Sequence, residues 1–132
     1  MYLVDTSVWI DAQRPTPGPK GLLLRELAAR QAIFGLAPVI LQEILQGCRD
    51  ADSLARTRHR LGLERCYLPV DPVKTCAEAG ALYARCRWAG RTPRSSNDCL
   101  IAQIAIEYGL TLLHDDPDFE RIAAVEPRLK LA

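Results

Sequence analysis

Short apolar runs alternate along the chain with longer segments in which apolar residues recur at helical spacing. The runs predict short strands at 2–4, 32–36, 66–70, 110–113 and 128–131. The periodic segments predict helices at 20–30, 38–46, about 50–64, 72–89 and 97–108, with shorter ones after Asp5 and from Pro117. Strands that are apolar throughout and alternate with helices are typical of an α/β fold with a parallel sheet of four to five strands.

Capping residues support several of these boundaries. Pro38 suits the first turn of its helix and Gly47 its end. Asp71 and Pro72 suit the N-cap and first position of the longest helix, and Gly109 ends the helix before the fourth strand. No internal repeat, low-complexity segment or linker interrupts the pattern. We therefore expect residues 1–132 to form a single domain.

Composition narrows the class of protein. With 132 residues, 48% hydrophobic and 25% charged, the chain is typical of a folded globular domain. It has no apolar stretch of about 18 residues and does not start with a basic segment followed by an apolar run, so we expect neither a membrane span nor a signal peptide. Its five cysteines form no CxxC pair, which favours small buried side chains in a reducing cytoplasm.

Charge is nearly balanced, with 17 basic and 16 acidic residues, but it is unevenly placed. The segment 85–94 holds four arginines and no acid, and 115–120 holds four acids and no base. This separation suggests a phosphate-binding surface beside a metal-binding one. Three arginines lie just before Asp98 and are candidates to border a site there: Arg87, Arg91 and Arg94.

Two other features have a simpler interpretation. The basic run of Arg56, Arg58 and Arg60 is more typical of a solvated helix face than of a binding surface. Trp88 is more typical of a packed aromatic side chain, with stacking on an unpaired RNA base as the alternative.

Acidic residues follow two of the predicted strands. Asp5 comes directly after the first strand, and Asp115 and Asp116 follow the fourth. Ligands of open parallel sheets bind beyond the carboxyl ends of the strands. If these two strands are neighbours, their acids share that crevice. The structural alternative is that Asp5 caps the helix that follows it.

Two further acids lie at the starts or edges of helices. Glu43 interrupts the strongly apolar segment VILQEIL, where it is either a solvated edge residue or a site residue. Asp98 lies in the first turn of its helix, where a carboxylate also interacts favourably with the helix dipole. Asp116 and Asp118 could likewise serve only to cap the helix that opens at Pro117.

A single bound metal ion would account for all of these acids. Clustered carboxylates raise one another's pKa unless a cation is bound among them. The two histidines, His59 and His114, have no zinc-binding spacing, so a metal here would be oxygen-ligated, as Mg²⁺ or Mn²⁺ prefers. Such an ion activates water for attack on a phosphodiester. Thr6 and Ser7 can orient a ligand there, although Thr6 suits a capping role equally well.

Four motifs in order carry a resemblance across almost the whole chain: LVDTSVWID, VILQEIL, SSNDCLIAQIAIEYG and LLHDDPDFERIA. In type and spacing they resemble PIN-domain proteins and are most similar to VapC-type toxins of toxin–antitoxin pairs. The resemblance implies a three-layer α/β/α fold and Mg²⁺- or Mn²⁺-dependent endoribonuclease activity. It also implies an RNA substrate, a cognate antitoxin and a homodimer. Apolar surface for such partners would come from Leu22, Leu23 and Leu54.

Motif by motif, the resemblance assigns the acidic positions to Asp5, Glu43, Asp98 and Asp116, with Asp115 ranked below Asp116 for the fourth. Ser7 takes the small polar position that supports the metal. The supporting residues expected around it are Thr6, Arg94 and Asp118. Asn97 departs from the usual hydrophobic or small residue before the third acid, which bears only on local packing.

Other phosphoryl-transfer classes lack a matching feature. A haloacid-dehalogenase-type phosphatase needs a second aspartate two residues after the first, where this chain has Ser7, and a receiver domain needs a lysine after a late strand. Two alternatives remain: an RNA-processing or DNA nuclease of the same fold, and a non-catalytic module that binds RNA or the antitoxin.

Overall fold

A computed structural model describes all 132 residues. Five strands and seven helices follow one another in this order: β1 (Tyr2–Val4), α1 (Thr6–Ala12), α2 (Pro19–Ala29), β2 (Phe34–Leu36), α3 (Pro38–Gln46), α4 (Ala51–Leu61), β3 (Arg65–Cys66), α5 (Pro72–Trp88), α6 (Ser96–Glu107), β4 (Thr111–Leu113), α7 (Pro117–Val125) and β5 (Lys130–Leu131). The alternation predicted from the sequence is confirmed, and with it the α/β class.

The strands form one parallel sheet in the order β3-β2-β1-β4-β5. The central pair is β1 and β4, joined in a register that sets Leu3 opposite Leu112 and Val4 opposite Leu113. These four side chains are completely buried, because helices cover both faces of a parallel sheet. The acids that follow β1 and β4 therefore emerge side by side at the carboxyl edge.

The helices pack in two groups. α1 contacts α2 and α3, and α3 contacts α4, while α5, α6 and α7 contact one another. Between them, 24 buried residues form one continuous hydrophobic cluster. This arrangement agrees with the expected three-layer fold. None of the seven helices has the length and apolar composition needed to cross a lipid bilayer.

Local chemistry explains where several elements begin and end. The Asp71 carboxylate accepts a hydrogen bond from the Lys74 N–H (3.1 Å), which caps α5, and Pro72 occupies the first turn. Asp50 caps α4 through the Ser53 N–H (2.7 Å). Gly109 follows α6 with φ +64°, a left-handed conformation that glycine adopts without strain.

The third strand differs from the sequence-based prediction. β3 covers Arg65–Cys66 instead of 66–70. The Tyr67 N–H still donates to the Leu36 carbonyl (2.8 Å), but the chain then leaves the sheet. Pro69 has no N–H to continue the ladder. β2 and β5 each start two residues later than predicted, because the residues before them close turns after α2 and α7.

The expectation that all five cysteines are buried is wrong for three of them. Cys86 and Cys99 are buried, Cys48 is half-buried, and Cys66 and Cys76 are exposed. Cys66 is exposed because β3 is an edge strand, and Cys76 because it lies on an outer face of α5. All five are free thiols.

A buried aspartate ties the proline-rich loop between α1 and α2 to the rest of the fold. The Asp11 carboxylate accepts hydrogen bonds from the N–H groups of Gly18 (3.1 Å) and Gly21 (2.9 Å). A Cβ at Gly21 would lie 2.6 Å from Asp11 Oδ2, so only glycine allows this close approach. The contact fixes the start of α2, and with it Lys20, beside the carboxyl edge of the sheet.

Candidate active site

Asp5 lies at the carboxyl end of β1 and caps α1. Its Oδ2 accepts hydrogen bonds from the Ser7 hydroxyl (2.6 Å) and the Ser7 N–H (3.1 Å). The structural alternative considered for Asp5 is therefore realised, but the carboxylate also faces other acids. Burial raises its pKa, hydrogen bonds from Ser7 and Thr6 oppose this, and the charge of Asp116 raises it further. Asp5 thus combines a capping role with a place in the acidic cluster.

Ser7 links the two strand ends. Its Oγ donates to Asp5 and accepts a hydrogen bond from the Asp115 N–H (3.2 Å). The backbone after β4 is thereby held against the start of α1. The Asp115 side chain itself is exposed. Ser7 therefore positions both the first acid and the loop that carries Asp116.

Glu43, on α3, is half-buried and points to the same edge. The Thr6 hydroxyl donates to Glu43 Oε1 (3.0 Å), and this contact joins α3 to α1. Burial raises the pKa of Glu43, while the Thr6 hydrogen bond lowers it and the charge of Asp5 raises it. The side chain is therefore not a solvated edge residue.

Asp98, in the first turn of α6, is the acid least compensated by its surroundings. Its exposed fraction is 8%, and none of the side-chain hydrogen bonds or ion pairs in the structure reaches its carboxylate. Burial raises its pKa to about 7, with further contributions from Asp5, Asp116, Asp118 and Glu43. A buried carboxylate without a partner is costly, and a bound cation would offset that cost.

Asp116 caps α7, Asp118 lies in the first turn of that helix, and both meet the basic segment before α6. Asp116 Oδ1 accepts hydrogen bonds from the Asp118 N–H (3.0 Å) and from Arg94 Nη2 (2.9 Å). Asp118 Oδ2 accepts from the Arg94 N–H (3.0 Å) and Nε (3.0 Å), and its Oδ1 is paired with Arg121. Burial alone would raise the pKa of Asp118, but these hydrogen bonds lower it. The separated basic and acidic segments therefore join at Arg94.

These acids form a donor set that suits a hard divalent cation. Single oxygens of Asp98, Asp116 and Asp118 lie within 4.8 Å of one another. Both Asp118 oxygens are already bound by arginines, whereas Asp116 Oδ2 accepts no hydrogen bond. Asp5 and Glu43 are not part of this close group, but the charges of both raise the pKa of Asp98. The carboxylates with an oxygen that no arginine binds are therefore those of Asp5, Asp98 and Asp116, and Glu43 lies at the edge of this cluster.

Two residues to which the sequence assigned no role complete the surroundings of the site. The buried His114 Nδ1 accepts a hydrogen bond from the Asp116 N–H (3.2 Å), and desolvation with the nearby Lys20 charge lowers its pKa. Lys20 lines an open cavity of about 320 Å³ together with Asp115, Asp116 and Glu120, and it makes no ion pair. No local sequence signal marks either role, because α2 and β4 are brought together only by the fold.

The structure corrects two expectations about the basic segment 85–94. Trp88 is 74% exposed at the end of α5, so the expectation of a packed aromatic is wrong; the helix ends there, and its ring extends into solvent. Arg94 is engaged with two carboxylates rather than free to bind phosphate. Arg87 and Arg91 are exposed and make no ion pair.

Comparison with known proteins identifies the family. The family model described as PIN domain matches residues 2–125. The chain is 37% identical over 126 residues to the VapC ribonuclease Mb1587 of Mycobacterium bovis and to ribonuclease VapC11 of Mycobacterium tuberculosis. In both cases the alignment covers 95% of this chain and 93% of the relative. The chain is a PIN-domain protein of the VapC type.

Solved structures share the PIN-domain fold over nearly the full length. VapBC2 from Rickettsia felis, bound to a promoter DNA fragment, superposes with a TM-score of 0.74 at 22% identity, over 99% of this chain and 96% of that chain. FitAcB from Neisseria gonorrhoeae gives 0.73 at 18% identity with the same coverage. At these identities the likeness concerns the fold alone. It agrees with the PIN-domain assignment and with the parallel sheet that carries the acids.

Proposed function

We propose that this PIN-domain protein is a divalent-cation-dependent endoribonuclease and the toxin of a type II toxin–antitoxin pair. The observation that carries the proposal is the uncompensated Asp98, buried among Asp5, Glu43 and Asp116. A fold gains no stability from such a group, so its presence among other acids points to a ligand. The relatives named ribonucleases support RNA as the substrate.

The cation would be Mg²⁺ or Mn²⁺, held by Asp5, Asp98 and Asp116, with Glu43 completing the site. When bound, it would supply activation of a water and stabilisation of negative charge on the phosphodiester. We favour Asp116 over Asp115 because Asp116 lies beside Asp98 whereas the Asp115 side chain is exposed. Asp118 would have a supporting role rather than bind the cation, because its two oxygens are already bound by Arg94 and Arg121.

Protein groups would orient the reaction around these ligands. Ser7 holds Asp5 through its hydroxyl, and Thr6 holds Glu43. The raised pKa of Glu43 suits a carboxylate that accepts a proton from the attacking water at an oxygen not bonded to Thr6. His114 fixes the backbone of Asp116 and, with a lowered pKa, stays neutral.

Binding of RNA needs positively charged side chains near this acidic edge, because the carboxylates repel the phosphates. Lys20 is the best placed, since it lines the adjoining cavity and makes no ion pair with the acids around it. Arg87 and Arg91 are further candidates, and the exposed Trp88 ring is available to stack on an unpaired base.

We propose that 1–132 acts as one domain, because one sheet and one continuous core organise it. A cognate antitoxin is supported by the VapC type of this chain, and the solved VapBC2 structure shares its fold. Leu22 and Leu54 expose 52% and 38% of their surface and suit contact with the antitoxin or a second copy in a homodimer. The free thiols suit the cytoplasm.

The decisive experiment is cleavage of a structured RNA by the purified protein with Mg²⁺, Mn²⁺ or EDTA. The wild type should cut only with a cation, and Asp5→Asn and Asp98→Asn should lose cleavage while circular dichroism shows an unchanged fold. Cleavage in EDTA, or full activity of both variants, would contradict the mechanism. Binding of RNA without cleavage would favour a non-catalytic module, and preference for DNA would favour a DNA nuclease.

A further inference from the structure

Arg94 reaches into the acidic cluster from the loop between α5 and α6. Its backbone N–H and Nε both donate to Asp118 Oδ2 at 3.0 Å, and its Nη2 donates to Asp116 Oδ1 at 2.9 Å. One guanidinium therefore bridges a fully buried carboxylate and a partly exposed one that belongs to the candidate cation site.

We propose that Arg94 is an internal competitor of the divalent cation: its guanidinium neutralises Asp116 when no cation is bound and so lowers the affinity of the site. The inference rests on the proposed cation site and adds a residue that sets how tightly that site binds. In this role Arg94 is a positioning residue, because it acts through Asp116 rather than on the substrate.

The contact of Arg94 with Asp118 is held more firmly than its contact with Asp116. On the Asp118 side, two donors of Arg94 and one of Arg121 bind a carboxylate with 1% of its side chain exposed. On the Asp116 side, a single Nη2 contact joins side chains that are 71% and 27% exposed. The solvent-facing contact is the weaker one. It can open while the Asp118 anchor keeps the loop in place.

Electrostatics gives the direction of the effect. A cation at Asp5, Asp98 and Asp116 is attracted by their summed negative charge, and the guanidinium beside Asp116 offsets part of that charge. If Arg94 is removed, that offset disappears and Asp116 Oδ1 loses a competing donor. Because the pair is exposed, the gain is modest, and we expect the cation dissociation constant to fall by about fivefold.

Arg121 provides a matched control. It is paired with the same Asp118 carboxylate, on the opposite oxygen, and has no contact with Asp116. Removing it takes away one positive charge and one Asp118 contact but leaves the Asp116 contact intact. A merely structural role of Arg94 through Asp118 should therefore be reproduced by Arg121→Ala.

The test is isothermal titration calorimetry with Mn²⁺ alone, with no RNA, on the wild type, Arg94→Ala and Arg121→Ala, together with the Mn²⁺-induced shift in Tm. We expect tighter binding and a larger Tm shift for Arg94→Ala only. If Arg94→Ala does not fold, Arg94→Gln keeps donors for Asp118 and removes the charge, and it should also bind more tightly.

Three outcomes would overturn the inference. Equal or weaker Mn²⁺ binding by the folded Arg94 variants would show that Arg94 does not compete, while leaving the cation site itself intact. Equal tightening in Arg121→Ala would show a general charge effect. Absence of Mn²⁺ binding in the wild type and all variants would refute the proposed cation site, and the inference with it.

Discussion

Asp98 and Glu126 are both buried carboxylates, with exposed fractions of 8% and 5%, but their surroundings differ. Glu126, which follows α7, accepts hydrogen bonds from Arg128 Nε (2.8 Å) and from Nη2 of Arg128 and Arg85 (both 3.1 Å). Arg128 hydrogen bonding lowers its pKa to about 2 against burial. Asp98 has no cationic partner, and burial raises its pKa to about 7.

Buried acids therefore have two different roles in this protein. Where arginines bind the carboxylate, the charge joins elements of the fold: Glu126 ties α5 to the segment between α7 and β5. Where no arginine does, the charge remains free for a ligand. Asp118 resembles Glu126 in this respect, Asp5 resembles Asp98, and Asp116 lies between the two classes because Arg94 binds only one of its oxygens.

The largest expected effect separates Asp116 from Asp115 and Asp118, its neighbours in the sequence. Asp116→Asn removes a proposed cation ligand and should reduce RNA cleavage by about 100-fold or more. Asp118→Asn should mainly lower the free energy of unfolding, by about 1–3 kcal/mol, because it weakens charged hydrogen bonds. Cleavage rates and urea unfolding of both variants provide the measurements, with Asp115→Asn as the control. If Asp115→Asn lost more activity than Asp116→Asn, the assignment of the fourth acid would be wrong.

Stability should respond oppositely at the two compared carboxylates. Glu126→Gln should lower the free energy of unfolding by about 1–3 kcal/mol, because two arginines lose their charged acceptor. Asp98→Asn should leave it unchanged or raise it in EDTA at pH 8, because an uncompensated buried charge is removed. Urea denaturation at that pH measures both. A marked loss of stability in Asp98→Asn would mean that this carboxylate is structural after all.

The pH dependence of stability should separate the same pair. The folded pKa of Glu126 is about 2, below its ordinary 4.5, so its contribution is present above about pH 4.5 and lost as the pH falls toward 2. The folded pKa of Asp98 is about 7, above its ordinary 3.8, so stability should increase as the pH falls from about 7 to 4. Urea unfolding in EDTA from pH 8 to 3 should show the second trend in the wild type and not in Asp98→Asn.

Below pH 4.5, Glu126→Gln should lose less stability with falling pH than the wild type does. Identical pH profiles for the two proteins would mean that Glu126 is not held ionised by its arginines.

The smallest expected effect concerns Glu43, which lies at the edge of the group of acids that no arginine binds. Thr6→Val removes its only side-chain hydroxyl donor, so the pKa of Glu43 should rise and kcat should fall by about threefold on the acidic side of its pH profile. The rise in kcat with pH should move to higher pH, while KM stays unchanged. Thr16→Val, in the exposed loop before α2, is the control. A changed KM with an unshifted pH profile would assign Thr6 to substrate contact.

Much of the architecture follows from local pattern. The helix starting at Pro72 was predictable because Asp71, Pro72 and a long periodic segment agree. The length of β3 was not, because the extent of an edge strand depends on how many residues the neighbouring strand can pair with. Trp88 was misjudged for a related reason: an aromatic side chain at a helix end is buried only if another element covers it, and none does.

The sequence by itself determined the family and fold class, and it proposed the acids, since strand ends, caps and motif order are local properties. Only the tertiary structure decided which acids are compensated. The sequence cannot reveal that Arg94 binds Asp116 and Asp118, that Arg85 reaches Glu126, or that Lys20 remains unpaired near the cluster. Each depends on distances between segments 20 to 100 residues apart, and compensation of a buried charge depends on those distances alone.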